Sequence, residues 1–229
     1  MAEPPHITIS DYGTLPQLVR RCFDAAIAGQ GGLDNTVYAI EGFCGRKHRL
    51  FLHNLVAALP DPRYIEIGLF KGATFCAALW QNRVRALGVD NWSEYGGPAN
   101  AAAFYRNLAA CRGPRARINL VEADFRTAPL AAFGRFNIGF YDGSHTEADQ
   151  YDGARAILDV LDDTAILMID DWNWTGVRQG TMRALSDSGR HTSLAIDLRT
   201  TTNDTTVEGA GFGGGSDWHN GVFVAVVSR

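Results

Sequence analysis

Short apolar runs alternating with helical stretches constrain this chain more than any other feature. Tyr64 to Gly68, Ala86 to Asp90, Ile118 to Ala123, Phe136 to Tyr141 and Ala165 to Ile169 have the length and apolar content of strands. Thr74 to Asn82, residues 99–111, Glu147 to Leu161 and Gly176 to Ser188 read as helices set among them. Strands spaced by helices make βαβ units, so a parallel sheet covered by helices on both faces is expected. Two further strands, Ser193 to Leu198 and Gly221 to Val227, break the rhythm. The segment joining them holds Thr200, Thr201, Thr202 and Asn203, then Gly209, Gly211, Gly213, Gly214 and Gly215. Such a segment cannot be a crossover helix, so the last two strands should pair antiparallel. The fold class is therefore α/β: a Rossmann-like, doubly wound, mostly parallel seven-stranded sheet with one reversed strand near its edge. A glycine-rich loop this long inside a compact fold is expected to serve the site, as a flap over residues 199–220.

Ahead of the first strand, residues 14–29 and 46–59 carry apolar side chains at helical spacing, closed by Pro60 and Pro62. Residues 1–60 thus read as a helical cap, and residues 61–229 as one globular unit. With 229 residues, 46% of them hydrophobic and 20% charged, the chain is an ordinary globular protein. Its net charge of −4, without a basic cluster, argues against nucleic acid or an anionic membrane as partner. The longest apolar runs, Ala165 to Ile169 and Val222 to Val227, are far too short to span a bilayer. The N-terminus has no signal-peptide pattern, so a cytoplasmic protein is expected. Cys22, Cys44, Cys76 and Cys111 form no CxxC pair and read as free thiols.

In open α/β sheets ligands bind beyond the carboxyl ends of the strands. Four acids stand at three successive strand ends. Glu66 lies within the pattern Glu66-Ile67-Gly68-Leu69-Phe70-Lys71-Gly72, Asp90 ends the second strand, and Glu122 and Asp124 end the third. Gly68 and Gly72 let the backbone turn tightly and approach a ligand. Asp90 can accept hydrogen bonds from ribose hydroxyls, and Asp124 from an amino group. Each acid alone also reads as a helix N-cap; together they point to a nucleotide-like pocket. This order, ExGxxxG and then Asp90 and Asp124, resembles the class I S-adenosylmethionine-dependent methyltransferases. The resemblance spans about residues 41–229. It implies that Glu66, Gly68, Gly72 and Thr74 line the methionine end, that Asp90 and Asn91 hold the ribose, and that Asp124 faces the adenine. It also adds Asp142 to the cofactor contacts, and Trp92 either stacks on the cofactor or fills the core.

The sharpest local signal is Tyr141-Asp142-Gly143-Ser144-His145 at the fourth strand end, with Asp170-Asp171-Trp172-Asn173-Trp174 at the fifth. Asp142 and Asp170 are 28 residues apart, one strand–helix–strand unit, so the two segments end side by side. Carboxylates brought together repel unless a cation or protons intervene, and oxygen-only ligands favour a hard ion such as magnesium. The alternative has one of Asp170 and Asp171 capping the next helix. An acid at the fourth strand end and an acid pair at the fifth resemble the metal-dependent O-methyltransferases of the catechol and macrocin types. His145, three residues past Asp142, is similar to the macrocin type, as is the pair Asp170-Asp171. The resemblance implies a divalent metal held by Asp142, Asp170 and Asp171, S-adenosylmethionine as methyl donor, and a small-molecule hydroxyl as acceptor. It makes His145 the general base, although His145 also reads as a cap for the helix near Glu147. Trp172, Trp174 and Trp218 either face a flat or sugar-bearing acceptor or pack the core. His219 can face the acceptor or simply form a turn, and a homo-oligomer is left open. A nicotinamide-dependent oxidoreductase would need the GxGxxG turn that this chain lacks. A non-catalytic or differently liganded member of the same fold is the other alternative.

Overall fold

The computed structural model describes residues 6–11, 14–207 and 216–229. Eight strands form one sheet: β1 (His6–Asp11), β2 (Arg63–Ile67), β3 (Arg85–Asp90), β4 (Arg117–Glu122), β5 (Phe136–Tyr141), β6 (Leu161–Asp170), β7 (His191–Arg199) and β8 (Val222–Ser228). Their order is β1-β7-β8-β6-β5-β2-β3-β4. The five strands β2 to β6 are mutually parallel, while β8 runs antiparallel to both its neighbours, β6 and β7. The seven expected strands and the antiparallel return are all present. The reversed strand β8 lies near one end of the sheet, between β6 and β7. Beyond β7 an eighth strand, β1, which was not expected, pairs antiparallel and forms the edge. It sits at the start of the segment read as purely helical, where Ile7 and Ile9 alternate with Thr8 and Ser10, a short strand pattern that the helical reading passed over.

The main helices are α1 (Thr14–Ile27), α2 (Asn35–Tyr38), α3 (Arg46–Ala58), α4 (Ala73–Leu79), α5 (Pro98–Cys111), α6 (Glu147–Val160) and α7 (Thr175–Ser188). Successive residues of a strand point to opposite faces, and both faces are dry here. On β8, Val222, Val224 and Val226 join one buried cluster with side chains of α1, α3, α4 and α5. Phe223, Ala225 and Val227 join the other, with side chains of α6 and α7. This is why β6 and β8 read as continuous apolar runs rather than alternating ones.

The chain leaves β2 to build β3 and β4 on one side, then returns to build β5 on the other. The crevice beyond the carboxyl ends of β2 and β5 is thus the switch point at which such sheets bind ligands. Gly68, just past β2, has φ +93°, and a Cβ there would overlap the carbonyl group of Asp142 just past β5. The backbone joins the two ends further: Gly68 N–H donates to Val89 O (2.9 Å) and Asp142 N–H to Ile67 O (2.9 Å).

Two features of this framework are testable. Gly153 of α6 lies against the ring of Tyr141, and an added Cβ would overlap that ring. Gly153→Ala should therefore cost about 1–3 kcal/mol, the range for overpacking a dense core, seen as a lower urea midpoint with an unchanged slope. The second feature is Glu66, fully buried in β2 and accepting hydrogen bonds from the Tyr64 hydroxyl and from Thr74 Oγ1 (2.5 Å). Burial, only partly offset by those bonds, pushes its carboxyl up to about 8 from 4.5. Between those values folding takes up a proton, so this group's contribution to stability falls as pH rises through the window and is constant outside it. Glu66→Gln cannot ionise and should lose less stability than the parent between about pH 5 and about pH 8, measured by denaturation in EDTA. Equal slopes for the two proteins would refute the assignment.

Candidate active site

A cavity of about 470 Å³ fills the crevice. One half is formed by the turns after β2, β3 and β4. Asp90 organises it: Oδ2 accepts from the N–H groups of Leu69 (2.7 Å) and Phe70 (2.9 Å), and Oδ1 from that of Trp92 (2.7 Å). The carboxylate therefore ties two turns together and keeps about one of its four lone-pair sites for a ligand. Asn91 Oδ1 accepts from Ser93 N–H (3.0 Å), bracing the same turn. Trp92 has φ +46° and is 7% exposed. It donates to Phe70 O (2.9 Å) and packs on Phe104 and Tyr105, while part of it lines the cavity. The ring thus packs the core and leaves part of one face open to the cavity. Asp124 lines the far wall, its Oδ1 accepting from Arg126 N–H (2.9 Å).

Gly68 and Thr74 reach the cavity; Glu66 and Gly72 are not among its lining residues. Glu66 lies beneath the wall and fixes Thr74 from behind. Gly72, φ +85°, caps α4, and a Cβ there would come within 2.8 Å of the Phe104 ring. Their places in the pattern come from burial and close packing.

The other half is acidic. Oxygens of Asp142, Asp170 and Asp171 all lie within 4.8 Å of one another. Asp170 and Asp171 are buried and Asp142 is half-buried. Burial, reinforced by the neighbouring acids, holds the carboxyls of Asp142 and Asp170 well above the usual range. Among the described residues no lysine or arginine comes within 4 Å of any of the three. Asp171 has φ +54°, an unusual conformation for a non-glycine residue. Its Oδ2 lies 3.0 Å from His145 Nε2, and its Oδ1 accepts from Asn220 Nδ2 (2.7 Å). The structure thus brings His145 and the three acids together as the spacing implied. His145 does not cap α6; Thr146 does, accepting from Asp149 N–H.

Several neighbours escaped the sequence reading. His48 of α3 is fully buried, its Nδ1 3.7 Å from Asp170 Oδ1. Neither ring nitrogen has a hydrogen-bond partner, and burial first, then Arg49 and His219, depress its pKa to about 3. The ring is therefore neutral and cannot offset the acids. A signal was available: His48, Leu52 and Leu55 fall on one helical stripe, which buries all three. Asn173 acts as a hub, its Oδ1 accepting from Thr200 N–H (2.9 Å) and Thr201 N–H (3.2 Å) and its Nδ2 donating to Thr200 Oγ1 (2.9 Å) and Thr205 O (3.1 Å). His219 lines the cavity, with its pKa lowered by burial. Of the three tryptophans considered for an acceptor, only Trp174 lines the cavity. Trp172 stacks on Phe223 at 4.3 Å, and Trp218 packs on Phe23 at 5.3 Å. The middle of the expected flap, residues 208–215, lies outside the described residues. Thr206 on one flank and His219 on the other line the cavity.

Residues 65–172 match a sequence family described as a methyltransferase domain. No curated protein sequence matches. Among solved structures, the chain is similar to cofactor-bound Rv0187 from MTB, with 16% identity, a TM-score of 0.54, and 93% of this chain and 90% of that one covered. It is also similar to the O-methyltransferase from Bacillus cereus in complex with SAH, with 13% identity, a TM-score of 0.52, and coverage of 93% and 91%. For TrmN from Thermus thermophilus the identity is 16% and the TM-score 0.54. There 84% of this chain is covered but 51% of that one, so the chain spans about half its length. At these identities the likeness to solved structures is one of fold. No helix among the described residues is long and apolar enough to cross a membrane. The fold is thus that of the class I methyltransferases, and the segment matching a methyltransferase domain is the one that carries the switch-point cavity.

Proposed function

We propose that the protein methylates a hydroxyl of a small-molecule acceptor, with a divalent cation held by Asp142, Asp170 and Asp171 and with His145 as general base. One observation carries this reading: three carboxylates converge in a mostly buried corner with no lysine or arginine within 4 Å among the described residues, and His145 stands 3.0 Å from one of them. Magnesium suits an all-oxygen donor set of this kind. When bound, the cation supplies charge stabilisation for an acceptor oxyanion.

The chain's own residues do the rest. His145 takes the hydroxyl proton at a ring nitrogen, and the Asp171 carboxylate beside it stabilises the positive ring that results. The acceptor oxygen attacks the sulfonium methyl carbon. The carbon–sulfur bond breaks, and its electron pair stays on sulfur to give neutral S-adenosylhomocysteine. The turns tied by Asp90 fix the donor, and Phe43, Tyr95 and Trp174 line the remaining wall, which suits a flat or sugar-bearing acceptor. Holding both reactants in line is the larger part of such a rate enhancement.

The decisive experiment screens purified protein with S-adenosylmethionine and magnesium against phenolic and sugar hydroxyls, following S-adenosylhomocysteine release. His145→Gln should lower turnover about 10²–10⁴-fold, the usual worth of general-base catalysis, and leave cofactor affinity within about twofold by calorimetry. Near-normal turnover in that variant would remove His145 from the mechanism. Undiminished turnover in EDTA would remove the cation.

A further inference from the structure

Asn220 stands two residues before β8, and it is 5% exposed. Its Nδ2 donates to Asp171 Oδ1 at 2.7 Å, which places the amide against the acid cluster. The other end of the amide, Oδ1, is buried and has no hydrogen-bond partner. Among the described residues it is the one buried side-chain oxygen left in that condition, the other such atoms being nitrogens. Buried acceptors are nearly always satisfied, and one that is not asks for a donor or a cation. Among the described residues the cavity beside Asn220 is lined by Asp142 and Asp171 and by no lysine. Amide oxygens belong to the ordinary ligand set of hard divalent ions.

We propose that Asn220 Oδ1 is a fourth oxygen ligand of the cation held by Asp142, Asp170 and Asp171, an inference that rests on the metal reading of those acids. The amide then has two jobs. Its nitrogen turns Asp171 toward the cluster, and its oxygen completes the donor set. Register explains the placement: Asp170 pairs with Val222 across the β6–β8 ladder, so the residues just beyond each strand end are neighbours. Asp171 and Asn220 lie 49 residues apart in sequence, so they form no motif that spacing could reveal.

The test separates the two ends of the amide. Parent protein, Asn220→Ala and Asn220→Asp are titrated calorimetrically with manganese and with magnesium, without cofactor or acceptor, and then with S-adenosylmethionine. Thermal melts in EDTA confirm that each is folded. Asn220→Ala should bind manganese at least tenfold more weakly than the parent. Asn220→Asp keeps an oxygen at the same place and should bind manganese as tightly as the parent or more tightly, with S-adenosylmethionine affinity unchanged. If Asn220→Asp is as weak as Asn220→Ala, only the nitrogen matters and the ligand assignment falls. It falls too if all three proteins bind manganese alike, or if the variants lose S-adenosylmethionine rather than manganese. A parent protein that binds neither metal ion would overturn the metal reading itself, an outcome distinct from the others because in them the parent still binds.

Discussion

No side chain fits between Gly68 and the carbonyl of Asp142, and that closeness is what the rest of the site depends on. Gly68 belongs to the turn beside Asp90, and Asp142 belongs to the acid cluster. Backbone contact between them makes a single wall serve both halves of the cavity, with no flexible side chain between. In the proposed reaction two partners must be held at near-contact distance, and a wall of this kind would set their separation. The positive φ at Gly68 is what the close approach requires.

Around that contact the molecule holds an unfavourable charge arrangement in place. Carboxyls on neighbouring strand ends would ordinarily swing apart into water. Asp170 is buried with the His48 ring against it, and that ring is itself held by Phe140 and Trp218. Asp171 is gripped at one oxygen by Asn220 and approached at the other by His145. The segment carrying them is fastened in turn. Asn173 binds the ends of β7 and β8, and Arg178 donates to Trp172 O (2.9 Å), Asn173 O and Asp204 Oδ1 (3.2 Å). Arg126, the arginine on the cavity wall, is already committed to Asp149 and Asp152. The cavity thus presents acids whose charge is balanced by proton uptake or by a cation, which is the state that metal binding exploits.

What the sequence made legible follows from locality. Strand ends, the acids on them, and the interval from Asp142 to His145 are all set by residues a few positions apart, so period and spacing disclose them. Asp142 and Asp170 could be paired across 28 residues because one βαβ unit has a known shape. What stayed hidden needed distant partners. β1 exists as a strand because β7, almost two hundred residues later, offers it an edge. Asn220 meets Asp171 only because β8 inserts between β7 and β6, a strand order that spacing does not disclose. Glu66 was read as a ligand from its pattern, but Tyr64 and Thr74 enclose it, and neither the spacing nor the composition of the pattern carries that information.

The N-terminal helices show how far a site can extend beyond the sheet that carries it. Consecutive residues of α3 face two different duties. His48 closes over Asp170, while Arg49, 1% exposed, donates to Val37 O (3.1 Å), Ile40 O (2.9 Å) and Cys44 O (3.2 Å). A buried guanidinium needs every one of those carbonyls to offset its desolvation, so the loop from residue 37 to residue 44 is held in one shape. Phe43 on that loop stands over the cavity, 5.3 Å from Phe70 and 6.0 Å from His219. The N-terminus of the same helix is fastened to the far side of the glycine-rich segment, where the N–H groups of Lys47 and His48 both donate to Asp217 O (2.9 and 3.1 Å). One helix thereby links the acid corner, the roof over the cavity and the return into β8. A change in α3 that left the turns tied by Asp90 intact would still move the acidic half of the cavity, because its acids and its roof share that single support.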